Sequence, residues 1–250
     1  MMMRISAVIG FGVAGLLLAA DQPRQKVQVS KTEHMDLPSG GTIRFENSLG
    51  TLTVEAWDQP GVEITTIKST KDEYAASDHD KAAHQLDKVS IAIERRGDEL
   101  IITTAFPRYR VFPISYPLSG DANLGVEYRV KAPNTARLVV HHTAGEVNID
   151  GLLGDMQATL TQGQILLHLP EDRQYDIHAK SDNGNVNSDF PGEKKRTWWL
   201  SQSAANDDAQ SGPKLNLKVV FGDIMILKTR LPKPSGGAVT KVDNLQAHSS

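Results

Sequence analysis

HHTAGEVNIDGLLGDMQATLTQGQILLHL, residues 141–169, decides how this chain is read. Two glycines in it, Gly145 and Gly163, are each followed by an alternating run, EVNI and QILL. Apolar residues stand seven and five positions before Gly145 (Leu138, Val140) and two and four after it (Val147, Ile149). Gly163 repeats this with Met156, Ala158, Ile165 and Leu167. So do Gly50 (Ile43, Phe45, Leu52, Val54) and Gly222 (Leu215, Leu217, Ile224, Ile226). Gly184 has Ile177, Ala179 and Val186, with Ser188 as the one polar exception. Nineteen of these twenty positions are apolar, where a chain that is 39% hydrophobic would place about 8.

Each copy reads as two short period-two strands joined by a bend, with one apolar face and one polar face. Glycine suits a bend of positive φ. Small polar residues lie shortly before four of the five glycines (Ser48, Thr143, Thr161, Asp182). Gly145 to Gly163 is 18 residues, Gly163 to Gly184 is 21, and Gly184 to Gly222 is 38, close to two such steps. A repeat near 20 residues is the size of one rung of a solenoid. The expected fold is therefore all-β: a single-domain β-solenoid or β-helix-like stack of short strands, with successive rungs at Gly145, Gly163 and Gly184. An antiparallel β-sandwich is the alternative, since it also gives short strands and frequent turns.

A region of different character, about 71–125, separates the first copy from the second. KDEYAASDHDKAAHQLDKVS (71–90) has the spacing of an amphipathic helix. VSIAIERRGDELIITTAF reads as a hairpin around Arg96, Gly97 and Asp98, and PRYRVFPISYPLSGDANLG as a loop. VEYRVKAP then returns to the repeats as a strand.

FENSLGTLTVEAWDQPGVEIT combines a bend glycine, an alternating strand, a Trp-Asp turn and a second strand. YRVKAPNTARLVVHHTAGEVNIDGLLGDMQATLTQGQILLHL continues with strand, proline, strand, bend glycine, strand and short glycine turn. Over residues 27–230 this order resembles the "putative adhesin" domain family DUF4097. The resemblance implies an exported β-helix-like domain. The adhesin label is one of fold analogy and names no activity.

The amino terminus has the form of a secretory signal peptide: Arg4, an apolar run from Ile5 to Ala20, and small residues at Ala19 and Ala20. At 16 residues the run is short for a membrane span, which needs about 20. An uncleaved anchor over 1–20 is the alternative. Residues 231–250 read as a flexible polar tail. The expected location is therefore periplasmic, cell-surface or secreted, with membrane contact only through an uncleaved amino-terminal segment.

Composition narrows the chemistry. The formal charge of −3 gives no electrostatic basis for nucleic-acid binding. The absence of cysteine excludes disulfides, thiolate metal sites and a cysteine nucleophile. No catalytic or metal site is assigned, and no cofactor is expected. His141 and His142 are adjacent on a strand and point to opposite faces, His142 inward. Asp78, His79, Asp80 and His84 read as an ordinary solvated helix face. The outward positions Glu146, Asn148, Gln164, His168, Asn185 and Asn187 hold one acid among amides, which is not the carboxylate pair a glycosidase needs.

Two aromatic segments are candidate partner surfaces: Arg108, Tyr109, Arg110, Phe112 and Tyr116 in the loop, and Trp198 with Trp199 after the KKR run. Caps on the ends of the stack are the competing role. The expected function is an exported, non-enzymatic adhesin or envelope scaffold whose partner is an envelope protein or glycan. The alternatives are an envelope carbohydrate-active enzyme on the same fold and a tethered sensory or regulatory domain.

Overall fold

The computed structural model describes residues 24–106, 108–111, 114–117, 124–197, 201–206 and 212–229. The expected signal segment, the carboxyl tail, Phe112, Trp198 and Trp199 lie outside them. In chain order the strands begin with β1 (Gln25–Met35), β2 (Thr42–Trp57) and β3 (Val62–Tyr74). A 3-10 turn (Ala76–Asp78) and helix α1 (His79–Leu86) follow, then β4 (Ser90–Arg96) and β5 (Glu99–Ala105). After them come β6 (Arg108–Val111), β7 (Ile114–Pro117), β8 (Leu124–Pro133), β9 (Arg137–Asp150) and β10 (Met156–Pro170). The last are β11 (Asp176–Asn183), β12 (Val186–Ser188), β13 (Glu193–Thr197), β14 (Ser201–Asn206) and β15 (Lys214–Thr229).

The fold is all-β, with one 13-stranded sheet and a separate β6–β7 hairpin among the described residues. At four of the five bend glycines the two expected short strands are one continuous strand of 14–16 residues. Strands β2, β9, β10 and β15 run parallel, side by side, with the glycines in register: Gly50 beside Gly145, Gly145 beside Gly163, Gly163 beside Gly222.

Connector length shows how far these strands bend. A straight 14-residue strand is about 46 Å long. Residues 151–155 must nevertheless bring the chain from the end of β9 to the start of β10, where Met156 pairs with Leu138. Such a link spans about 20 Å at most. The arms on either side of Gly145 therefore turn back toward each other, and each strand forms two sides of a coil. The connectors close the third side. Leu153 N–H donates to Asn134 O at 2.7 Å, Leu138 N–H donates to Asp155 O at 3.0 Å, and Leu152 and Ala136 are buried between them.

The core is a set of columns read directly from the register. On the first arm Leu100, Ile43, Leu138, Met156, Leu215 and Ile177 stack, beside Ile102, Phe45, Val140, Ala158, Leu217 and Ala179. On the second arm Tyr128, Leu52, Val147, Ile165, Ile224 and Val186 stack, beside Val130, Val54, Ile149, Leu167 and Ile226. All of these are buried. At about 25 cal/mol per Å² of apolar area removed from water, this interior is the main stabilising term.

Chain order is not stacking order. The expected step from Gly163 to Gly184 is interrupted: β15 lies between β10 and β11, so the Gly222 rung separates them. Gly184 stacks on Gly222 instead.

The expected insertion over 71–125 also divides. Residues 71–74 finish β3, so the helix is shorter than its sequence pattern. Strand β5 pairs with the first arm of β2, and β8 pairs with its second arm. Together β5 and β8 make one more rung, and Gly50 rests on Val126 at its corner. Antiparallel strands finish both ends: β3 and β1 beyond β8, β4 beyond β5, and β14 and β13 beyond β11. Finishing each end in this way limits the parallel edge available to other chains.

Candidate functional site

The bend glycines lie at positive φ, from 95° at Gly50 to 155° at Gly184. A Cβ on any of them would stand 1.7–2.0 Å from a carbonyl oxygen of the rung beneath. The five thus form a ladder of close backbone approaches, which is a structural role.

The inward column just ahead of this ladder is partly polar, with Ser48, His142, Leu160, Val219 and Ser181 in register. His142 is buried. Its Nε2 lies 3.0 Å from Gly50 O and its Nδ1 lies 2.7 Å from Ser48 Oγ. A carbonyl only accepts, so Nε2 carries the proton and the Ser48 hydroxyl donates to Nδ1. Burial holds His142 below the ordinary imidazole range, in keeping with a neutral ring. Serine beside histidine at 2.7 Å has the spacing of a nucleophile and its base. Ser48 is completely buried, however, so no substrate reaches it. The pair anchors the bend, as does Ser181, whose hydroxyl donates to Gly222 O at 2.7 Å. His141 points outward and bonds Glu46 at 2.9 Å through Nδ1.

The chemistry open to solvent gathers elsewhere, on the outer face of the second arm. Thr53 and Glu55 of β2, Arg129 and Lys131 of β8, and Glu63 and Thr65 of β3 line a groove of about 450 Å³. Register places them in two rows across the strands. One row runs Thr32, Thr65, Arg129, Thr53, Asn148. The other runs His34, Glu63, Lys131, Glu55, Asp150 and alternates in charge through Glu55.

Glu63 is the anchor of the second row, 3.1 Å from Lys131 Nζ and 3.0 Å from His34 Nε2. The Lys131 ammonium, then His34, holds its carboxyl below the usual range. Arg129 is ion-paired through Nε with Glu127. Lys131 also lies 6.0 Å from the ring centre of Trp57, whose Nε1 donates to Gly61 O at 3.2 Å.

None of the groove residues was singled out from the sequence. They come from three strands whose neighbours are set by register, although the alternation in TLTVEAW and VEYRVKAP marks them as outward. The outward residues that the sequence does indicate lie further along the same face. There Glu146, Asn148, Gln164 and His168 are joined by Leu166 and Met225. Arg108, Tyr109, Arg110 and Tyr116 fall in the β6–β7 hairpin. Among the described residues there is no group of three or more metal-ligating side chains, and no helix long and apolar enough to cross a membrane.

No family model matches the chain, and no curated protein matches it. Among solved structures it is similar to a "putative cell adhesion protein" from Clostridium sporogenes, at 11% identity and a TM-score of 0.42, covering 81% of this chain and 100% of that one. It is similar to a "putative adhesin" from Bacteroides fragilis at 7% identity and a TM-score of 0.25, covering 80% and 97%. It is also similar to a "putative lipid binding protein" from Parabacteroides distasonis at 10% identity and a TM-score of 0.24, again covering 80% and 97%.

Proposed function

We propose that this chain is an exported, non-enzymatic binding protein of the cell envelope, an adhesin or scaffold that engages a protein or glycan through its outer faces. One observation carries the reading. The interior is filled with apolar columns, its buried histidine is engaged on both ring nitrogens, and the solvent-facing chemistry lies on rigid, hydrogen-bonded strands. A broad, rigid, polar surface suits recognition. The signal-like segment at 1–20 supports export.

A carbohydrate-active enzyme is the second reading, because Glu55 and Glu63 line one groove. A general acid needs a raised pKa, whereas the carboxyl of Glu63 is held low by Lys131. Co-sedimentation with purified cell-wall and membrane fractions tests both readings. The binding reading expects the chain in the pellet with no saccharide released over hours. Soluble saccharide from the wall would replace it with the enzyme, and a chain that stays in the supernatant with both fractions would end it.

A further inference from the structure

We infer that the groove between β2, β8 and β3 is a binding site for a saccharide without net charge. This rests on the binding reading above and names its ligand class. The main-chain groups of the groove floor are committed to the ladders that join β2 to β8 and β8 to β3. A ligand there is therefore read by side chains and cannot add as a strand. Among the described residues that line the groove, Val130 is the one apolar residue; it points into the core and is 1% exposed, so they offer no apolar pocket to anchor a peptide side chain.

What faces the groove is polar and balanced: two carboxylates, a guanidinium, an ammonium and two threonine hydroxyls. The commitments among them leave a specific set free. Glu63 and Lys131 are paired with each other, and Arg129 is held through Nε, which leaves its terminal nitrogens to donate. Thr53 offers a hydroxyl and Glu55 a carboxylate. A carboxylate accepts from paired hydroxyls, and a guanidinium donates in a planar fork. Neighbouring sugar hydroxyls present both partners. A polyanion would meet Glu55 and Glu63, and a polycation would meet Arg129 and Lys131, so charge balance selects a neutral ligand. The volume of about 450 Å³ lies within the range of small-ligand sites. The Trp57 ring stands beside the floor, next in the strand after Ala56 and within reach of Lys131.

The test uses the full chain immobilised against four probes: N-acetylglucosamine oligomers, maltohexaose, mannohexaose and, as the polyanion, heparin. Retention of at least one neutral oligosaccharide is expected. Glu55→Ala and Arg129→Ala should each weaken it about tenfold, while Lys180→Ala on the other arm leaves it unchanged. Both groove side chains face solvent, so the variants should melt with the parent, and Glu55→Gln serves as the conservative control. Retention of heparin alone, of no probe, or of a neutral probe equally by both alanine variants overturns the assignment. Wall co-sedimentation that survives both variants overturns the groove while sparing the binding reading. Failure of the parent to sediment at all ends that reading itself.

Discussion

Gly163 lies directly over Gly145, and a Cβ on Gly163 would stand 1.8 Å from the Gly145 carbonyl oxygen. The same relation links Gly222 to Gly163 at 1.7 Å. The atom in the way is backbone, held by the ladder, so it cannot move aside as a flexible side chain would.

Gly222→Ala should therefore destabilise the fold by at least about 3 kcal/mol, combining the strain of positive φ with a backbone clash. Gly97→Ala is the control. Its φ is 66°, but among the described residues nothing lies within 4 Å of the added carbon. It should cost only about 1 kcal/mol. Urea unfolding midpoints check both, and equal losses would count against the ladder as the source of rigidity.

Stability should fall on the acid side through His142. Its folded-state pKa is lowered by burial, so the folded chain prefers the neutral ring. The contribution is full above the unfolded value of about 6.5 and is lost as pH falls below it. The stability gap between the parent and His142→Gln should shrink from pH 7.5 to pH 5. Ser48→Ala removes the donor to Nδ1 and should cost about 1–3 kcal/mol at neutral pH. Denaturant titrations across that range measure both effects.

Two buried tyrosines should respond oppositely to loss of the hydroxyl. Tyr128 bonds Thr104 Oγ1 at 2.6 Å, and burial pushes its phenol up to about 12. Tyr128→Phe leaves Thr104 buried without that partner and should cost about 1–2 kcal/mol. The Tyr175 hydroxyl is buried with no partner among the described residues, while its ring packs edge-on against Phe190. Tyr175→Phe keeps the ring and should be neutral or stabilise by about 1 kcal/mol. Thermal melts of the two variants against the parent decide the matter.

Because β15 is the central strand between β10 and β11, a chain ended at Asn206 should lose cooperative unfolding. A chain ended at Thr229 should keep it. Far-ultraviolet circular dichroism on heating distinguishes them. A cooperative transition in the shorter chain would mean that β10 and β11 can pair directly.

Much of the coil was legible because period two and the bend glycines are local properties. The inward positions at Ile43, Val140, Ile165 and Ile224 follow from alternation alone, and all four are buried. Ser188, the one polar exception, is half-buried at the short strand β12 and lies beside Phe190, whose N–H donates to its hydroxyl. The groove was not legible. Glu63, Arg129 and Glu55 are ordinary outward residues on three strands until β8 is placed between β3 and β2.

The sequence by itself determined where each strand bends and which side chains face inward. Steric exclusion at a positive φ and side-chain alternation act within a few residues. Only the tertiary structure decided which rung lies beside which. The main-chain ladder is nearly blind to side-chain identity, so Gly163 could stack with Gly184 or Gly222 on local grounds alike. The pairing of β10 with β15 places Gly222 beside Gly163, with Gly184 one rung further on. That same choice of neighbours, made at β8, assembled the groove.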